Sequence, residues 1–129
     1  MKKEELITFI IVGIIIIGEI ISQKYTQKCV EEFKERLYDL KASALSEELS
    51  KEEIAQTTNS IYEDWNNKSK TLSFYLEHDE LEKVHTQMRR VIAYFEVDSK
   101  EDAIPELEEG IYTLEHLKDK RELTWKNVF

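Results

Sequence analysis

Three side chains have the types and spacing to hold a metal ion. His78, Glu82 and His85 stand at i, i+4 and i+7, so on one continuous helix they would share a face. Two imidazoles and a carboxylate are ligands that a divalent transition metal accepts. Glu82-Lys83-Val84-His85 is also one Glu-x-x-His motif. A di-iron bundle needs two such motifs and two further Glu residues on facing helices. The other candidate fails, because the residue three before His116 is Thr113. The polar run Glu77-His78-Asp79-Glu80 reads as a turn or sharp bend, which would take His78 off the shared face. The plainer reading has His78 capping the bend and His85 on a helix flank. The expectation is therefore no metal site and no cofactor, with His78, Glu82 and His85 the residues that would make one.

The remaining chemistry is thin. Cys29 lies on an apolar helical stripe and reads as a small core residue. No G-x-S-x-G, S-x-x-K or phosphate-cradling glycine loop is present, and three glycines cannot build one. Acid pairs such as Glu52-Glu53 and Glu108-Glu109 read as solvated faces. No catalytic residues are expected, and the chain is not expected to be an enzyme. Trp65, beside Asn66 and Asn67, reads either as a core anchor or as a contact for a partner or ligand.

The elements that would position these residues follow from composition. The chain has 129 residues, room for one small domain. Three Gly and one Pro cannot supply the turns of a β-sandwich or barrel. The net charge of −9 and pI near 4.9 repel phosphate backbones, so no nucleic-acid partner is expected. One cysteine makes no internal disulfide. Residues 6–21 are apolar except for Thr8, Gly13, Gly18 and Glu19, and as a helix they would reach about 24 Å. That is short of a hydrocarbon core of about 30 Å. A soluble core helix would show a polar face, and this run shows none. A cleaved signal peptide would need small residues at its cleavage site, and residues 18–23 supply no such triplet. The expectation is an uncleaved membrane anchor over 1–23, with the lipid bilayer as its partner. Lys2 and Lys3 precede the run, which favours an extracytoplasmic C-terminal domain, although Lys24, Lys28, Lys34 and Arg36 follow it. Glu19 is the one charge within the run. It either reaches the interface or meets a partner helix, since ionisable groups in spans are costly and usually paired.

Residues 24–129 read as an acidic helical bundle. Tyr25, Cys29, Phe33, Leu37, Leu40 and Ala44 recur at helical spacing, and nothing breaks the helix between them and the apolar run. Ser50-Lys51-Glu52-Glu53 is a capping box that opens a second helix carrying Ile54, Thr58, Ile61, Trp65, Leu72 and Leu76. Asp79 is expected to cap a third helix, with Leu81, Val84, Met88, Val91, Ile92 and Phe95 inward. A fourth carries Ala103, Leu107, Ile111, Leu114 and Leu117, with Pro105 either in its second turn or at its start. Short connections make neighbouring helices antiparallel. The predicted fold is all-α: an N-terminal transmembrane helix running into an antiparallel up-down bundle of three to four helices.

These features together resemble a family of small single-span bacterial membrane proteins known only as a domain of unknown function, mostly from spore-forming Gram-positive bacteria. The resemblance lies in the apolar run, in Tyr62-Glu63-Asp64-Trp65-Asn66-Asn67-Lys68, in Glu77-His78-Asp79-Glu80-Leu81-Glu82, and in the terminal Leu123-Thr124-Trp125-Lys126-Asn127-Val128-Phe129. Trp125 and Val128 depart from the family's Leu-x-Leu-x-Asn-Ile-Phe, both within apolar types. The resemblance implies a single-span protein with a helical domain and no assigned activity. It also implies an accessory subunit, since members are often encoded beside a larger multi-span membrane protein.

The functional expectation is a membrane-anchored, single-pass interaction module that binds another membrane protein and is not catalytic. Glu19, Trp65, Trp125, Val128 and Phe129 are its candidate contact residues. The alternative is an extracytoplasmic ligand- or cation-binding sensor using Trp65, Asn67, His78, Glu82 and His85.

Overall fold

The computed structural model describes the backbone of residues 2–128 and the side chains of residues 2–119. It contains four helices: α1 (Lys3–Ser46), α2 (Lys51–Leu72), α3 (His78–Glu96) and α4 (Lys100–Val128). No strand occurs among the described residues. The helices form an up-down ring in which α1 packs on α2 and α4, and α3 packs on the same two. This is an antiparallel four-helix bundle, the expected fold, with α1 extending far beyond it.

At 1.5 Å per residue, the 44 residues of α1 span about 66 Å. Its two halves differ in surroundings. In the first half Leu6, Ile7, Phe9, Ile10, Ile11, Val12, Ile14, Ile15, Ile17, Ile20 and Ile21 are all exposed. Helix α1 is, by length and composition, long and apolar enough to cross a membrane. Burial begins at Ser22 and Gln23 and continues through Thr26, Cys29, Val30, Phe33, Leu37, Leu40 and Ala44. No break separates the halves, and no glycine or proline lies between Gly18 and Glu47. There the chain turns through a left-handed residue with φ 58°.

The capping box at Ser50 forms in both directions: Glu53 N–H donates to the Ser50 hydroxyl and Ser50 N–H to the Glu53 carboxylate. Three local expectations are corrected. First, α2 stops at Leu72, so Leu76 lies in the turn, half-buried, and closes it through its N–H to the Leu72 carbonyl at 2.8 Å. Second, the residue before α3 is Glu77, with no capping bond from its side chain, and Asp79 lies inside the first turn. Third, Ile92 is half-buried. Helix α4 begins at Lys100, which puts Pro105 in the second turn. One backbone bond is lost there.

The core is formed by the expected stripes. Trp65 lies at its centre, 1% exposed, with its ring edge-on to Phe33 at 5.1 Å between centroids. Phe33, Leu37, Ile61, Val84, Met88 and Leu114 close around it without a space for water.

A buried polar contact joins α3 to α4. The Gln87 side-chain amide of α3 donates to the Thr113 hydroxyl of α4 at 3.0 Å, and that hydroxyl donates to the Glu109 carbonyl at 2.9 Å. Removing one partner of a buried hydrogen bond costs about 1–3 kcal/mol, whereas replacing both with apolar groups of similar shape is close to neutral. Thr113→Val should therefore destabilise the bundle by about 1–3 kcal/mol. Adding Gln87→Met should recover much of that loss in a thermal-unfolding double-mutant cycle. Additive losses would show that the pair is not coupled.

Candidate functional site

The structure does not gather His78, Glu82 and His85 into one site. His78 begins α3 and is exposed, with Nε2 3.9 Å from the Glu82 Oε1. His85 is turned toward α2, where Nδ1 lies 2.7 Å from the Asn66 Oδ1 and Nε2 lies 3.0 Å from the Tyr62 hydroxyl. A carboxamide oxygen only accepts, so this contact suits a ring protonated at Nδ1, and a neutral ring of that tautomer leaves Nε2 to accept from the Tyr62 hydroxyl. Both ring nitrogens are thus engaged in tying α3 to α2. Tyr62 also packs its ring on the imidazole at 5.0 Å. Among the described residues no group of three or more His, Cys, Asp or Glu side chains could hold a metal ion.

Trp65 is a core side chain and presents no face to a partner in this conformation. Cys29 is buried. Asn67 is exposed on α2, away from the paired Asn66. Of the other candidate contacts, the side chains of Trp125 and Val128, and the whole of Phe129, lie outside the described residues.

Ion pairs Lys41–Glu108, Lys34–Glu115 and Glu31–Lys118 align α4 antiparallel to α1 in one register, and Glu47–Lys100 joins them where α1 ends and α4 begins. Helix α4 runs on from Lys118 to Val128, and continued over that length the same register would lead toward the end of the apolar segment near Ile21. Glu31, Lys34, Glu115 and Lys118 form the last described clasp before it. The Lys34 hydrogen bond holds the Glu31 carboxyl below its ordinary range, with the charges of Lys34 and Lys118 adding to it against a partial burial that opposes. For Lys34, burial alone would favour the neutral amine, but the Glu31 and Glu115 carboxylates outweigh it and raise the ammonium above its ordinary range.

The end of the bundle from which the apolar segment projects therefore collects the most unusual groups. Glu19 is half-buried, and its carbonyl accepts from the Ser22 hydroxyl at 3.3 Å. One turn on, Gln23 is 7% exposed with neither its amide nitrogen nor its oxygen hydrogen-bonded, and the Thr26 hydroxyl is buried in the same condition. The turn between α2 and α3 packs against this level of α1: the Tyr75 ring meets Tyr25 edge-on at 6.4 Å. A hydrogen bond with Cys29 pushes the Tyr25 hydroxyl above its ordinary range; burial adds to this, and a bond with Thr71 opposes it. Next to Tyr75, Phe74 is 82% exposed. The helical periodicity missed this pair, because Leu72 and Leu76 at i and i+4 fit a longer α2 and left Phe74 and Tyr75 as two residues off its stripe. Two adjacent aromatics after a serine, next to the polar run at Glu77, were the available signal.

A family model described as a domain of unknown function, DUF4363, matches residues 20–128. The match covers the bundle and only the last residues of the apolar segment. No curated protein and no solved structure matches the chain.

Proposed function

We propose, from the premise that this chain belongs to the DUF4363 family of unknown function, that it is a non-catalytic accessory subunit: a helical bundle tethered by α1 in a membrane, where it binds another membrane protein. The observation that carries this reading is the continuity of α1. A bare apolar half, exposed on every side, runs without a joint into a half that supplies one wall of a folded core. Exposed apolar surface of that extent is expected where lipid or another protein covers it. A helix without a hinge holds the bundle at a set height and rotation relative to the span.

The contact surface of this subunit is assigned to the membrane end. Glu19 belongs to it because a carboxylate within a span is costly and is usually retained for a partner. The end of α4 belongs to it because the α1–α4 register, carried on from the Glu31–Lys118 pair, leads that helix back toward the same level; Trp125, Val128 and Phe129 are assigned to it as the apolar and aromatic residues of that stretch of sequence. The resemblance to small membrane proteins encoded beside a multi-span protein supports the same assignment. Lys2 and Lys3 ahead of the span favour an extracytoplasmic bundle. Residues 23–129 carry 16 Lys and Arg against 24 Asp and Glu, a net −8, which suits a basic partner face.

The test is a pull-down of the full-length protein from gently solubilised native membranes, beside Glu19→Leu and a form lacking residues 120–129. One stoichiometric membrane protein, lost in at least one of the two variants, is the expected result. Recovery of the protein alone from all three would overturn the accessory-subunit reading.

A further inference from the structure

Taking α1 as a span, the turn between α2 and α3 has a place relative to the bilayer, and that place suits its side chains. Tyr25 stands four residues beyond Ile21, about 6 Å along the helix axis. The headgroup layer on each side of a bilayer is about 5–8 Å thick, half the difference between the full thickness and the hydrocarbon core. Tyr25 is thus at headgroup depth, and its edge-on contact at 6.4 Å brings Tyr75 to the same depth. Phe74, next in the turn, is 82% exposed. It is displayed by a built turn: its N–H donates to the Thr71 carbonyl at 3.2 Å, and the N–H groups of Tyr75 and Leu76 both donate to the Leu72 carbonyl.

We propose that Phe74 and Tyr75, with Tyr25 behind them, seat the α2–α3 turn in the headgroup region of the bilayer that α1 crosses. Rings with a polar edge concentrate at this depth, because their apolar body avoids water while the hydroxyl stays hydrated. A single exposed phenylalanine is ordinary on a protein surface. The coincidence of three aromatic rings with the level at which α1 leaves its apolar segment is the feature that selects lipid as the occupant. Charge around the turn is mixed, with Lys24, Lys28, Lys68 and Lys70 on α1 and α2 and Glu77, Asp79 and Glu80 at the start of α3. The seat is therefore apolar in origin and does not require anionic lipid. A bundle held by α1 and by this turn has two points of attachment, which restricts its tilt against the bilayer.

Single nitroxide labels on the full-length protein, reconstituted in phosphatidylcholine vesicles, test the proposal. In a Cys29→Ala background, Phe74→Cys, Ile14→Cys and Val97→Cys are labelled, and collision with oxygen is compared with collision with a water-soluble nickel chelate. Val97 is 73% exposed in the turn between α3 and α4, at the opposite end of the bundle. The oxygen-to-nickel ratio at 74 is expected to be several-fold above that at 97 and below that at 14, and unchanged by adding phosphatidylserine. A ratio at 74 equal to that at 97, with 14 still shielded, overturns the seat and leaves the span intact. A water-exposed label at 14 overturns the span itself, and the seat with it. A label at 74 immobilised and shielded from both reagents would show a protein surface there, and would also overturn the lipid assignment.

Discussion

Ile14→Lys is expected to release the full-length protein from the membrane fraction. Residues 6–21 reach about 24 Å as a helix, less than the hydrocarbon core of about 30 Å, so the segment has no apolar residues to spare. Ile14 lies at its midpoint, too far from either end for a lysine to reach water easily. A lysine at the centre of a span costs about 2.5–3.5 kcal/mol on insertion scales, and the isoleucine it replaces contributes about 0.3–0.6 kcal/mol. The combined change of about 3–4 kcal/mol shifts partitioning by two to three powers of ten. Ile14 is 64% exposed and makes no part of the core, so the bundle should keep its helicity. Carbonate extraction followed by blotting reads the partition. Ile21→Lys is the control: at the edge of the run its ammonium can reach the interface, so the protein should stay in the pellet. If Ile14→Lys pellets as strongly as the parent, residues 6–21 do not span a bilayer.

Trp65→Ala is the second large expected effect, and it acts on the fold. Truncating a buried aromatic costs about 3–5 kcal/mol through lost transfer energy and the cavity left behind. Here the surrounding side chains leave no void into which they could relax in advance. A small domain has only about 5–15 kcal/mol in total. The thermal midpoint of the bundle, followed by far-UV circular dichroism in mild detergent, should fall by more than about 10 °C. Trp65→Phe should cost much less than the alanine variant. It keeps a ring against Phe33, and it removes an indole N–H that is buried without a hydrogen-bond partner. A Trp65→Ala variant with an unchanged midpoint that no longer captures a membrane partner would reverse the assignment, making Trp65 a contact rather than a core anchor.

The two predictions draw on different kinds of information. The apolar segment, the helical class and the core are local patterns. An apolar run has one length and one composition wherever it sits. Cys29, Phe33, Leu37 and Leu40 repeat at helical spacing whether or not a partner helix is known, and each is buried as that spacing implies. The capping box at Ser50 is readable because its two hydrogen bonds lie within four residues.

What the tertiary structure decided depends on which helix face meets which. The spacing of His78, Glu82 and His85 offers a shared face, but α2 competes for His85 by presenting Tyr62 and Asn66, more than eighteen residues away in sequence. Gln87 and Thr113 each read as an ordinary polar residue until α3 and α4 close over them. Leu72 and Leu76 fit one more turn of helix as well as they fit a turn. Packing ends α2 at Leu72 and swings Tyr75 onto Tyr25. Periodicity specifies how one helix divides into faces. The juxtaposition of residues from different helices is set only when the ring of four closes, because that step chooses among faces that are locally equivalent.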